Sequence, residues 1–172
     1  MKKKVVKKDV PSKNYLYLLL IVFGVVVLTF YINAWAKTYR TKKLETSPME
    51  GVVEKLNINE LGMSVSEMNE VLLYFGYTNN EKIYEMEKRI ISFAKREDII
   101  SKMIYVDVTE KKSNNQYLKD VKEVFSDFDD KVEAPFMLYI KNGKIVDYVK
   151  PEYGLVQTYQ IKKLIDEYNL SN

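Results

Sequence analysis

The chain has 172 residues, of which 30% are charged, and it contains neither cysteine nor histidine. This composition excludes a thiolate nucleophile, a disulfide bond, an imidazole base and the thiolate or imidazole ligands of a zinc site. The net charge of +3 is unevenly distributed along the chain: residues 1–43 carry a charge of +9 and residues 44–172 a charge of −6. The larger part is mildly acidic, which argues against a surface that binds nucleic acid.

An uncharged segment near the N-terminus predicts a membrane helix. Residues 15–36 contain no charged side chain, and residues 16–32 are almost continuously apolar. A helix of about 20 such residues spans the roughly 30 Å hydrocarbon layer of a bilayer. Aromatic side chains near both ends are typical of membrane interfaces: Tyr15, Tyr17, Tyr31 and Trp35. The chain is therefore divided into a basic cytoplasmic tail over residues 1–14, a transmembrane helix over 15–36, a short polar linker over 37–51 and a domain over 52–172.

The basic residues around this segment predict its orientation. Six lysines precede it and four basic residues follow it, so the positive-inside tendency favours a cytoplasmic N-terminus and an extracytoplasmic domain. A cleaved signal peptide is the alternative, because Ala34-Trp35-Ala36 has the small-x-small form of a cleavage site. The apolar stretch is longer than the usual signal-peptide core of about 7–15 residues, which favours an uncleaved anchor in the cell membrane. Both interpretations place the domain outside the cytoplasm.

Strand and helix patterns alternate along the domain. In chain order we predict a strand over 52–58, a short helix or turn over 64–69 with Ser66 as a possible cap, and a buried strand over 71–75. A helix follows, with Ile83, Met86, Ile90 and Phe93 in one stripe, and then a strand over 103–108. The last predicted elements are a helix with Leu118, Val121, Phe125 and Phe128 on one face, strands over 136–140 and 144–149, and a helix over 157–168. The strand–helix–strand order predicts parallel pairing. Asn142-Gly143 predicts a hairpin between the next two strands. The expected fold class is α/β, a mixed sheet flanked by helices.

The junction between the second strand and the following helix resembles that of the thioredoxin fold. Tyr74-Phe75-Gly76 ends a strand and leads into a polar turn, and Ala134-Pro135 opens a later strand. Together with Tyr105-Val106-Asp107-Val108, these residues are similar to the thioredoxin-like proteins grouped with bacteriocin-transport accessory factors. In that group the Tyr-Phe-Gly strand end precedes a Cys-x-x-Cys turn. Asn79 and Lys82 stand at the two cysteine positions here, and the resemblance covers about residues 50–170.

The resemblance implies a candidate site. It predicts a cis peptide bond between Ala134 and Pro135, against the general preference for trans, and a loop whose backbone pairs with an extended peptide without needing cysteine. Asn79 or Asn80 is expected to cap the helix, and Lys82 to be solvated. Aromatic side chains near the turn would form a groove if they are exposed together. The candidate partner-binding residues are Tyr77, Thr78, Tyr84, Ala134, Pro135 and Phe136.

Because thiol–disulfide exchange requires a thiolate, the sequence predicts a protein that is not an enzyme and uses no cofactor. The acidic run over 126–130 fails as an EF-hand, since Val132 and Leu138 occupy the positions of its glycine and glutamate, so no metal site is expected. The leading hypothesis is a redox-inactive accessory module that binds a protein or peptide during secretion or envelope protein maturation. The alternatives are a thiol–disulfide oxidoreductase component that relies on a partner's cysteines, and a structural subunit of a membrane assembly. Abundant Lys, Asn and Ile are typical of AT-rich bacterial genomes.

Overall fold

The computed structural model describes residues 12–129 and 131–171. Contacts divide the chain into two units, which separate between Lys42 and Lys43. Apart from its last three residues, the basic tail expected over residues 1–14 lies outside the described residues.

Helix α1, Ser12–Leu44, contains the predicted membrane segment. Its apolar side chains are exposed around the whole circumference, and it is long and apolar enough to cross a bilayer. The Thr29 hydroxyl donates a hydrogen bond to the Val25 carbonyl (2.8 Å), so the one hydroxyl in the middle of the apolar stretch is satisfied within the helix. Helix α1 is therefore a candidate transmembrane span.

The linker expected over residues 37–51 differs from the structure. Helix α1 continues through its first half to Leu44, although the sequence there is polar. The second half forms turns in which Ser47 and Met49 are buried in the domain. The polar composition predicts exposure but does not exclude a helix, and one methionine among polar residues gives no periodic signal. The folded domain thus begins before residue 52.

A five-stranded mixed sheet forms the centre of the second unit. Its strands are β1 (Glu54–Leu56), β2 (Glu70–Gly76), β3 (Met103–Asp107), β4 (Phe136–Lys141) and β5 (Lys144–Val149). They lie in the order β1-β3-β2-β4-β5, with β1 and β2 parallel to β3, and β4 antiparallel to both β2 and β5. Strand β2 lies in the middle and is buried on both faces, which explains its continuous apolar sequence.

Helices cover both faces of this sheet. They are α2 (Leu61–Glu67), α3 (Glu81–Arg96), α4 (Thr109–Lys112), α5 (Gln116–Val124) and α6 (Thr158–Tyr168). Side chains of α3 and α6 pack with one face of β2, including Leu72 and Tyr74. Side chains of α2 and α5 pack with the other face, including Leu73 and Phe75. The α/β class with a mixed sheet between helices is therefore confirmed.

Several predicted details are wrong. Ser66 lies inside α2, where its hydroxyl donates to the Met63 carbonyl instead of capping the helix. Helix α5 ends at Val124, so Phe125 and Phe128 are not on its face. Both phenylalanines are nevertheless buried, because the turns after α5 fold them onto the same core. The apolar spacing identified the core residues but not the end of the helix.

Candidate functional site

The turn at the expected cysteine positions joins β2 to α3. Asn79 is exposed and has a left-handed backbone (φ 61°), which asparagine tolerates better than most residues. The Asn80 side-chain oxygen accepts hydrogen bonds from the amides of Lys82 (3.0 Å) and Ile83 (3.2 Å). Asn80 is therefore the N-cap of α3, which confirms one of the two asparagines proposed. Lys82 is exposed, as expected.

Two amides of the turn are bonded to other parts of the domain. The Thr78 amide donates to the Thr109 hydroxyl at the start of α4 (2.9 Å). The Asn79 amide donates to the carbonyl of Leu44, the last residue of α1 (2.7 Å). Neither amide is free to pair with a bound peptide.

The peptide bond between Ala134 and Pro135 is cis, which confirms the expectation from the resemblance. Both residues are buried, as is the following Phe136. Phe136 is 0% exposed and stacks on Phe75, with the ring centroids 4.6 Å apart. The expectation that Phe136 forms part of an exposed aromatic groove is therefore wrong, because this first side chain of β4 points into the core.

The loop before the proline is also closed to backbone pairing. The Ala134 amide donates to the buried hydroxyl of Tyr117 on α5, at 2.8 Å. The resemblance predicts that the backbone of this loop pairs with an extended peptide. Since the protein itself satisfies the Ala134 amide, this amide is not a free donor for such a peptide.

Only some of the predicted site residues reach the surface, and lysines lie beside them. Tyr77 and Tyr84 are half-buried, and a lysine lies over each ring. The ammonium of Lys112 is 5.6 Å from the Tyr77 centroid, and that of Lys43 is 4.7 Å from the Tyr84 centroid. The residues of the predicted site that are at least partly accessible are Tyr77, Thr78, Asn79, Lys82 and Tyr84.

A buried polar cluster lies beneath the turn. Glu87 of α3 is 1% exposed, and its carboxylate accepts hydrogen bonds from the Ser47 hydroxyl (2.6 Å) and the Tyr74 hydroxyl (3.0 Å). The neighbouring Tyr105 hydroxyl is buried and makes no hydrogen bond to the residues described. A side chain at Gly76 would place its Cβ 2.6 Å from Glu87 Oε1, so only glycine leaves room for the carboxylate there.

Burial determines the electrostatics of this cluster. Loss of hydration raises the pKa of Glu87 to about 7, while the hydrogen bonds from Ser47 and Tyr74 act in the opposite direction. The carboxylates of Asp107 and Glu50 raise this pKa further by repulsion. Burial likewise raises the pKa of both tyrosine hydroxyls, so Tyr74 and Tyr105 stay neutral.

The sequence contained a signal for Glu87 that the apolar spacing alone did not reveal. Glu87 lies four residues after Ile83 and three before Ile90, which places it within the buried stripe of α3. A carboxylate on such a stripe requires buried donors. Those donors come from segments distant along the chain, so the sequence could not identify them.

The described residues include no group of three or more carboxylates that could hold a metal ion. Of the acidic run over 126–130, residue 130 lies outside the described part of the chain.

The domain has the thioredoxin-like fold. It resembles the crystal structure of Chlamydomonas reinhardtii thioredoxin f2 with a TM-score of 0.51 and 11% sequence identity, over 70% of this chain and 99% of the other. Weaker matches include thioredoxin from Plasmodium falciparum (TM-score 0.46, 19% identity, 67% and 97% coverage) and mitochondrial thioredoxin 3 from Saccharomyces cerevisiae (TM-score 0.46, 13% identity, 67% and 94% coverage). No protein-family model matches the chain, and neither does any curated protein. At these identities the likeness establishes the fold alone.

Within that fold, this chain is a thioredoxin-like domain without cysteine that follows a candidate transmembrane helix. Its composition is compatible with redox inactivity, because no thiolate is present for thiol–disulfide exchange.

Proposed function

We propose that this chain is a membrane-anchored, redox-inactive thioredoxin-like domain that acts outside the cytoplasm as a protein-binding accessory module. One observation carries the proposal. The chain has the capped turn and the cis proline, and by the resemblance Asn79 and Lys82 occupy the positions of the two thiols. A scaffold that keeps this geometry without its reactive atoms is better suited to contact than to catalysis.

The anchor and its orientation are supported by sequence and helix length. Helix α1 exceeds the length needed to cross a bilayer, and more basic residues precede its apolar part than follow it. The Leu44 carbonyl is already bonded to the domain through the Asn79 amide.

The partner would be recognised by side chains rather than by the backbone. The amides of Thr78, Asn79 and Ala134 are occupied within the protein, which leaves no row of donors for an added strand. The accessible surface offers the half-buried side chains of Tyr77 and Tyr84, each with a lysine ammonium over its ring. The resemblance to bacteriocin-transport accessory proteins suggests a secreted or envelope protein as the partner.

Redox inactivity is tested by insulin reduction with the full chain in detergent. The purified protein should give no turbidity above that of dithiothreitol alone, whereas an authentic thioredoxin in the same detergent gives a rapid rise. Turnover by the chain itself would contradict redox inactivity without bearing on the anchor.

The orientation is tested with reporters fused to the C-terminus. An alkaline phosphatase fusion, which is active only after export, should be active and membrane-bound. The matched fusion to a reporter that is active only in the cytoplasm should be inactive. The reverse pattern would contradict an extracytoplasmic domain.

A further inference from the structure

The segment over residues 43–49, here called the collar, is attached to the domain at three points. The Leu44 carbonyl accepts the Asn79 amide, the Ser47 hydroxyl donates to Glu87, and the Met49 side chain is completely buried in the core. The collar therefore covers one side of the turn between β2 and α3, to which the proposed function assigns partner binding.

The middle attachment differs from the other two because it involves an ionisable group. The Glu87 carboxylate accepts hydrogen bonds from two hydroxyl groups, those of Ser47 in the collar and Tyr74 in β2. The Met49 amide also donates to the Ser47 hydroxyl oxygen (3.0 Å), so this hydroxyl connects the collar backbone to the carboxylate. A change in charge at Glu87 thus acts directly on the collar.

The surroundings of Glu87 are acidic rather than basic. The charged groups that act on it are Asp107 at the end of β3 and Glu50 directly after the collar. The Lys55 ammonium of β1 is bonded to these two carboxylates, at 3.2 Å and 2.8 Å. The buried hydroxyl of Tyr105 also faces the cluster, from β3. An ionised Glu87 is therefore buried without a bonded cation, which is unfavourable.

We propose that Glu87 is a proton-controlled latch: the collar is held on the turn while this carboxyl group is protonated and is released when it ionises. A neutral carboxyl group tolerates burial and can donate to Ser47 as well as accept from Tyr74. An ionised one gains hydration if the collar moves away. Release would free the Asn79 amide and the Tyr84 ring, and it requires no partner.

Burial places the ionisation of Glu87 near neutral pH, at a pKa of about 7 instead of the ordinary 4.5. If release returns this group to its ordinary pKa, linkage increases the opening equilibrium by about 140-fold between pH 4.5 and pH 8. The effect rises with pH, because only the closed state holds the proton in that range.

Amide hydrogen exchange tests the latch in the full chain, reconstituted in nanodiscs and followed by NMR. Rates for Asn79 and Met49, corrected for intrinsic exchange, report the collar, and the amides of β2 report the sheet. Between pH 5.5 and pH 8 we expect protection at Asn79 and Met49 to fall at least tenfold, while the β2 amides keep theirs. Constant protection at Asn79 and Met49, or a loss shared equally with β2, would overturn the proposal.

Two variants connect this change to one carboxyl group. Glu87→Gln keeps the shape but cannot ionise, and should give protection that is independent of pH. Glu85→Gln removes an exposed carboxylate of the same helix and should keep the wild-type profile. An unchanged pH profile in Glu87→Gln would refute the latch. If that variant does not fold, the carboxyl ¹³C shift of Glu87 is titrated in the wild type: a midpoint equal to that of Asn79 exchange supports the latch, and a different midpoint overturns it.

Discussion

Glu87 is a buried carboxyl group whose protonation affects the stability of the domain. In the native domain its pKa is raised to about 7, against an ordinary value of 4.5. Between these values the native state holds a proton that the unfolded state has lost. The contribution of Glu87 to stability is therefore greatest below pH 4.5, declines as the pH rises towards 7 and then stays level.

Replacing Glu87 with glutamine should remove this pH dependence. A difference of about 2.5 pKa units corresponds to roughly 3 kcal/mol. The free energy of unfolding of Glu87→Gln, minus that of the wild type, should rise by up to about that amount from pH 4.5 to pH 8. Urea titrations at a series of pH values measure this difference, which cancels the contributions of other groups such as Asp107. A difference that does not change with pH would show that Glu87 ionises normally in the folded protein.

Gly76 is the second residue on which the cluster depends. A methyl group there would lie 2.6 Å from Glu87 Oε1 and 2.7 Å from a ring carbon of Tyr74, so both side chains would have to move. We expect Gly76→Ala to lower the free energy of unfolding by about 1–3 kcal/mol, as overpacking does.

Gly62 in α2 is the matched control, because its added methyl group meets only Val124, at 3.4 Å. Gly62→Ala should be neutral or stabilising by up to about 1 kcal/mol, since alanine favours a helix. Equal losses in the two variants, measured by urea unfolding, would mean that the contact at Gly76 is not special.

At the scale of elements, the loop before β4 is held by α5. The buried Tyr117 hydroxyl accepts a hydrogen bond from the Ala134 amide, so this amide is not available to a bound peptide. Tyr117→Phe leaves that amide unpaired in the core. We expect a loss of about 1–3 kcal/mol in the free energy of unfolding.

Tyr84→Phe is the comparison for this change, because Tyr84 is half-buried and the contact described for it is made by its ring, with Lys43. Its effect should stay within about 0.5 kcal/mol. Thermal unfolding monitored by near-ultraviolet circular dichroism distinguishes the two variants. A Tyr117→Phe protein as stable as Tyr84→Phe would contradict the assigned hydrogen bond.

The elements that the sequence predicts well are those with a strong local signal. Strand β2, the stripe of α3 and the Asn142-Gly143 hairpin each depend on neighbours within a few residues. The end of α1 and the burial of Ser47 and Met49 involve long-range contacts, such as the Asn79–Leu44 backbone bond and the bond between Ser47 and Glu87, which are 40 residues apart. No local pattern records such contacts, so these features required the three-dimensional structure.

The same distinction applies to the candidate site. The cis bond and the helix cap were predicted, because they belong to a junction with a known pattern of residues. The sequence did not predict that backbone amides of the site are already hydrogen-bonded, because the Leu44 carbonyl and the Tyr117 hydroxyl that accept from them belong to other elements. Predicting the residues of a site is thus easier than predicting whether they are accessible.

At the scale of the whole molecule, charge and composition are divided between two units. The first contains the apolar helix and most of the excess positive charge, and the second is a mildly acidic domain with the thioredoxin-like fold. Neither unit contains a thiol. The proposed function assigns partner binding to the second unit, through the accessible side chains around Asn79 and Lys82.

Site-specific photo-crosslinking in native membranes tests this central claim most directly. The photoreactive residue is placed at Lys82 in the turn, at Val146 on β5 (42% exposed) as a surface control, and at Leu20 in α1. The account predicts a discrete protein adduct from position 82 and none from position 146. An adduct from position 20 alone would contradict it and would identify the chain as a structural subunit held by its membrane helix.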